Sequence, residues 1–190
     1  MIYLDTNILV SLLALDGSTN AAEEWWAAQS TPFGISAWVV AEFYSHMGLR
    51  SRKNEITSRQ ASAYIAEFDH LTTTNFTLLK SSDAAILRAS RWLRSPNCAL
   101  QAADALHLAI ALENEAAAIA TFDVRFAKGI EKLRIAGLKV IALPVADITS
   151  ARQARAKYNV TERDIAKAVA SARKRKTEER KNAPRLTVRG

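Results

Sequence analysis

Five short runs rich in β-branched, aromatic and aliphatic residues punctuate the chain: Ile2–Leu4, Phe33–Ser36, Phe76–Leu79, Ala118–Thr121 and residues 139–143, the last closed by Pro144. Each is long enough for a strand and too short for a helix. The segments between them carry helical periodicity and predict helices over residues 7–15, 19–29, 37–50, 57–71, 83–94, 101–116, and from beyond Asp123 to near Gly137. Strands joined through helices pair in parallel, because a parallel pair needs a long crossover. Such a sheet is covered on both faces, which explains runs that are apolar throughout rather than alternating. The expected fold is α/β, a short parallel central sheet flanked by helices on both faces. No internal repeat is visible.

The 190 residues suit one domain with an appendage. Residues 1–144 carry the strand–helix pattern, residues 145–160 read as a linker, and residues 161–190 as a basic C-terminal helix and disordered tail. In that tail Thr161 is placed to cap a helix and Asp164 falls at the capping-box position. Ile165, Ala168, Val169 and Ala172 then form a narrow apolar stripe. The formal charge of +7 is unevenly divided. Residues 1–150 hold 13 basic and 15 acidic side chains, a net −2, and residues 151–190 hold 13 basic and 4 acidic, a net +9. This excludes a uniformly basic nucleic-acid-binding domain.

One cysteine, Cys98, permits no intrachain disulfide, which fits a reducing compartment. The N-terminus lacks the basic and apolar regions of a secretory signal. No apolar run approaches the ~18–20 residues needed to span a bilayer. The expectation is a soluble, cytoplasmic protein without a membrane partner.

Four acids stand where a surface acid need not. Asp5 ends the first strand, where open α/β sheets bind ligands, although it could equally cap the helix that follows. Glu42 is a lone acid among apolar and small neighbours from Ser36 to Phe43; the alternative is an ion pair with a base such as Arg50. Asp104 is a single acid in the nearly continuous apolar run from Ala102 to Ile110. Asp123 follows Thr121-Phe122 at a strand end, as Asp5 does, and could likewise be a helix cap. Four converging carboxylates would repel one another and raise their own pKa values unless a cation sits among them. Hard oxygen donors suit Mg²⁺ or Mn²⁺, and a metal that keeps water can activate it and stabilise a phosphoryl transition state.

The segments Met1-Ile2-Tyr3-Leu4-Asp5-Thr6-Asn7, Ser36 to Glu42, Asp104-Ala105-Leu106-His107-Leu108-Ala109 and Thr121-Phe122-Asp123 occur in an order and spacing that resembles PIN-domain nucleases, most closely the VapC toxins of bacterial type II toxin–antitoxin systems. The resemblance covers about residues 1–144. It implies a Mg²⁺- or Mn²⁺-dependent endoribonuclease whose acidic cluster is Asp5, Glu42, Asp104 and Asp123, with Asn7 and Thr121 in support. It also implies an RNA substrate, a homodimer and a cognate antitoxin protein. Two other readings stay open: a non-catalytic PIN-like RNA-binding or scaffold protein, and a nuclease acting on DNA.

His46, His70 and His107 show no metal-ligand spacing. His107, three residues after Asp104, is expected to make a structural hydrogen bond. Trp25, Trp26, Trp38 and Trp92 are expected in packing rather than base stacking, and the absence of a Gly-rich phosphate loop argues against an NTPase. The basic tail has three readings: an extension that contacts RNA phosphates, a lid that aims Arg163, Arg173 or Arg175 at the protein's own carboxylates, or a solvated charge run.

Overall fold

A computed structural model describes residues 1–14 and 16–144. The linker and tail expectations, with Arg163, Arg173 and Arg175, lie outside the described residues.

All five strands form where the apolar runs fall: β1 (Ile2–Leu4), β2 (Phe33–Ser36), β3 (Phe76–Leu79), β4 (Ala118–Thr121) and β5 (Lys139–Ala142). They make one parallel sheet in the order β3-β2-β1-β4-β5. Burial follows position. Every residue of β1, β2 and β4 is buried, while edge strands β3 and β5 are partly exposed. Only strands covered on both faces need be apolar at every position, so the sequence pattern and the sheet order have one cause.

Among the described residues seven helices connect and cover the sheet: α1 (Thr6–Leu13), α2 (Thr19–Ala27), α3 (Ala37–Arg52), α4 (Ser58–Thr74), α5 (Asp83–Leu93), α6 (Ala102–Glu113) and α7 (Val124–Lys132). Side-chain oxygens start several of them. Thr57 and Gln60 form a capping box on α4, and Ser82 caps α5. The last two helices are shorter than expected. α6 stops at Glu113, after which Glu115 turns to φ +52°. α7 stops at Lys132 rather than near Gly137, because Arg134 at φ +50° and Gly137 at φ +82° leave the right-handed helical region.

The core is continuous across the sheet and is built on aromatic pairs. Phe43 of α3 stacks on Phe68 of α4 at 4.1 Å between centroids, and Trp26 of α2 stacks on Phe33 of β2 at 4.3 Å. Trp25 also packs against Phe33, so the two tryptophans serve packing, as expected. Val39, Phe43 and Met47 form the buried stripe of α3, while Ala41, Tyr44, Ser45 and His46 are exposed. α3 is therefore amphipathic, although the neighbours of Glu42 are mostly apolar or small. Among the described residues no helix is long and apolar enough to cross a membrane.

The sheet order positions the site. From β1 the chain steps one way to β2 and β3, then returns to place β4 and β5 on the opposite side of β1. Beyond the carboxyl ends of β1 and β4 the connections diverge, leaving the crevice in which open α/β sheets bind ligands.

Candidate active site

Asp5 and Asp123 follow the two strands that bound this crevice. Main-chain bonding ties the strand ends together, with Asp5 N–H donating to the Ala120 carbonyl at 3.0 Å. Asp5 occupies the N-cap position of α1 but makes no side-chain capping bond. Its carboxylate turns instead to neighbouring side chains. Oδ2 accepts from Asn7 Nδ2 at 2.7 Å and from Thr121 Oγ1 at 2.5 Å. Asn7 Nδ2 also donates to Thr121 Oγ1 at 3.0 Å, and Asn7 Oδ1 accepts from Phe122 N–H at 3.0 Å. Thr121 Oγ1 takes a further bond from Asp123 N–H at 2.9 Å. Asn7 and Thr121 thus hold one buried carboxylate through its Oδ2.

Glu42 reaches the same place from α3. Its Oε2 accepts from Thr6 Oγ1 at 2.5 Å and lies 2.7 Å from His107 Nε2. The alternative pairing with Arg50 does not occur: Arg50 sits near Glu55 and donates to the Ala14 carbonyl. His107 Nε2 is also 3.6 Å from Asp5 Oδ1, so one buried imidazole bridges two acids. Its Nδ1 lies 2.9 Å from the hydroxyl of Tyr3. The expected structural hydrogen bond of His107 is present, and it is made to the acidic cluster itself.

Asp104 is the third residue of α6, and its Oδ2 accepts from Gln101 N–H at 3.4 Å. Asp123 caps α7, accepting from Arg125 N–H at 2.7 Å and Phe126 N–H at 3.1 Å. The capping reading of Asp123 therefore holds as a structural role. Its charge is also felt at Asp104.

The electrostatics link Asp5 with Glu42, and Asp104 with Asp123 and Asp5. Burial raises the pKa of Asp5, opposed by His107 and the Thr121 bond, while the Glu42 charge raises it further. Asp104 is raised by burial first, then by the charges of Asp123 and Asp5. For Glu42, burial pushes upward, but hydrogen bonds from His107 and Thr6 outweigh it and the pKa falls. For His107, burial pushes downward; the bond to Glu42 and the charges of Asp5, Glu42 and Asp104 prevail and its pKa is raised.

This donor set suits a hard divalent cation. Among the described residues, the cationic group within salt-bridge distance of Asp5 and Glu42 is His107 alone, so carboxylate charge exceeds the local positive charge. Ligand atoms of Asp5, Glu42 and His107 lie within 4.8 Å of one another. Two carboxylates and an imidazole at this spacing can hold a divalent cation.

Sequence reading missed Tyr3, Ser36 and Thr6. The first carried a usable signal: a tyrosine inside a central strand buries its hydroxyl, which must find a partner. Ser36 and Thr6 are ordinary cap residues by type, and nothing local distinguishes them.

A parallel sheet with carboxylates gathered at its switch point defines a class, the α/β domains that can hold a divalent ion beyond the strand ends. Within that class the match is specific. The family model described as the PIN domain matches residues 2–132, and the chain belongs to the PIN-domain family. In structure it is similar to VapC20 of Mycobacterium tuberculosis, described as a sarcin-ricin-loop-cleaving toxin, with TM-score 0.55 and 22% identity over 67% of this chain and 94% of that one. It is also similar to VapBC2 of Rickettsia felis, solved with a promoter DNA fragment, with TM-score 0.51 and 20% identity over 75% of this chain and 99% of that one. FitAcB of Neisseria gonorrhoeae gives TM-score 0.52 and 17% identity over 74% of this chain and 96% of that one. At these identities the likeness establishes the fold. No curated protein matches the sequence significantly.

Proposed function

We propose that this PIN-domain protein is a Mg²⁺- or Mn²⁺-dependent endoribonuclease, the toxin of a type II toxin–antitoxin pair. The observation that carries the reading is the cluster of Asp5, Glu42 and His107, whose ligand atoms lie within 4.8 Å of one another, with the charges of Asp5 and Asp123 felt at Asp104. A scaffold or a passive RNA-binding protein has no use for a self-repelling cluster. Likeness to VapC20 and to the VapBC2 and FitAcB structures supports the toxin role and an antitoxin partner. A homodimer and a cytoplasmic location belong to the same reading.

Asp5 and Asp104 would hold the ion, and Glu42 and Asp123 would complete its surroundings. When bound, the ion supplies Lewis-acid stabilisation of phosphoryl charge and a water of lowered pKa. The chain supplies the rest. Asn7 and Thr121 fix the Asp5 carboxylate, Thr6 and His107 fix that of Glu42, and α7 carries exposed Arg125, Lys128 and Lys132 away from Asp123 along one face. Those bases offer phosphate contacts for the strand flanking the scissile bond. Hydrolysis by activated water leaves a 5′-phosphate and a 3′-hydroxyl.

The test offers RNA and single-stranded DNA of one sequence to the purified protein with Mg²⁺, with Mn²⁺ and with EDTA. RNA cleavage that requires metal and leaves 5′-phosphate ends is expected. Cleavage of the DNA alone, or metal-independent cleavage, contradicts the reading.

A further inference from the structure

A buried polar chain runs beneath the acids. Ser36 ends β2, Tyr3 lies in the middle of β1 and His107 lies in α6, and their exposures are 0%, 0% and 2%. Ser36 Oγ is 2.9 Å from Tyr3 Oη, Tyr3 Oη is 2.9 Å from His107 Nδ1, and His107 Nε2 is 2.7 Å from Glu42 Oε2. Three elements contribute polar side chains to a place where apolar ones would pack equally well. Burying a hydroxyl or an imidazole costs free energy unless each finds a partner. The core itself needs no more than a phenylalanine at position 3.

The chain has a direction. Nε2 faces a carboxylate, so it carries a proton whether the ring is neutral or charged. In the neutral ring Nδ1 accepts from the Tyr3 hydroxyl, which accepts from Ser36. In the charged ring Nδ1–H donates to the Tyr3 oxygen, and Tyr3 donates to Ser36. A hydroxyl can serve either way, so the link persists in both states. Val39 N–H donates to Ser36 Oγ at 3.3 Å, which ties the far end to the first turn of α3, the helix that bears Glu42.

The consequence falls on the carboxylates. Glu42 Oε2 receives both Thr6 and His107, which leaves Oε1 outside these bonds. Asp5 Oδ2 likewise receives Asn7 and Thr121, while Oδ1 is the oxygen 3.6 Å from His107 Nε2. These side-chain bonds of Glu42 all fall on one oxygen. His107 is then a donor rather than a ligand, although its nitrogen lies among the acid oxygens.

We propose that Tyr3 and Ser36 are positioning residues of the metal site: through His107 they orient the Glu42 carboxylate so that one oxygen is held by the protein and the other is presented to the cation. This inference rests on the metal-site reading above. Outer hydrogen bonds of this kind typically change metal affinity 10–100-fold when removed.

Mn²⁺ titrations by calorimetry test it on the full chain without reference to activity. Tyr3→Phe keeps the ring and removes the hydroxyl, and it should bind Mn²⁺ about 10-fold or more weakly than wild type. Ser36→Ala should weaken binding in the same direction, and it carries the test if Tyr3→Phe fails to fold. His107→Gln, which keeps an N–H donor, should retain more affinity than His107→Ala. Circular dichroism well below each Tm shows that the folded proteins are compared, so a purely structural role would leave the affinities unchanged. Wild-type affinity in both Tyr3→Phe and Ser36→Ala overturns the inference and leaves the metal site standing. Absence of Mn²⁺ binding in wild type overturns both.

Discussion

Asp104 sits at the first turn of α6, where the helix N-terminus favours a carboxylate, yet burial and the charges of Asp123 and Asp5 hold its pKa above the ordinary range. A carboxyl raised in the folded state binds its proton more tightly there than in the unfolded chain. Its charge therefore costs stability above the folded-state pKa, and the cost fades as pH falls toward the unfolded value of ~3.9. Asp104→Asn should raise the Tm of the metal-free protein at neutral pH, and this advantage should shrink on acidification. Mn²⁺ should reverse the order. At a hundredfold excess over Kd it stabilises wild type by ~2.7 kcal/mol and should do much less for Asp104→Asn. Thermal melts with and without Mn²⁺ check both parts. At this scale Asp5, Asp104 and Asp123 were legible because an isolated acid at a strand end or in an apolar helix is conspicuous. Tyr3, Thr6 and Ser36 were not, since their roles depend on partners 33 to 104 residues away.

The elements themselves were nearly all visible. Strands covered on both faces must be apolar throughout, and helices in a crossover must fill the gaps, so type and order follow from pattern. Helix ends were less legible. α6 and α7 stop early because Glu115 and Arg134 adopt positive φ, which neither residue type announces. Nor did the sequence reveal that α3 exposes one face, since small residues such as Ala41 suit core and surface alike. α7 carries a functional prediction at this scale. Arg125, Lys128 and Lys132 fall at i, i+3 and i+7, on one exposed face of a helix that Asp123 begins. Replacing all three with Gln should weaken RNA binding at low salt and lower the salt slope by up to about 2, at ~0.7 per phosphate contact on a single strand. Filter binding of the triple variant across a salt series measures it, and an unchanged slope removes α7 from the substrate path.

Taken whole, the chain divides its charge: the four acids of the proposed site lie before residue 125, and all of the basic excess lies beyond residue 150. The family match ends at residue 132, and every acid of the proposed site precedes it. A chain truncated after residue 150 should therefore keep its metal site and its cleavage activity. Lower RNA affinity with a flatter salt dependence would assign the removed bases to RNA phosphates. Higher activity would assign them, Arg163, Arg173 and Arg175 included, to covering the carboxylates.

On this reading the carboxylates act together on a metal to cut RNA. Asp5 tests it most directly, being the most buried of the four and the one tied to both Asn7 and Thr121. The measurement is cleavage of end-labelled RNA by purified wild type and Asp5→Asn in Mg²⁺ or Mn²⁺, each with an EDTA control. Wild type should cleave in a manner that EDTA abolishes, and Asp5→Asn should lose cleavage at least as deeply as the assay can follow, with its circular dichroism spectrum unchanged. Equal cleavage by the two proteins would contradict this reading.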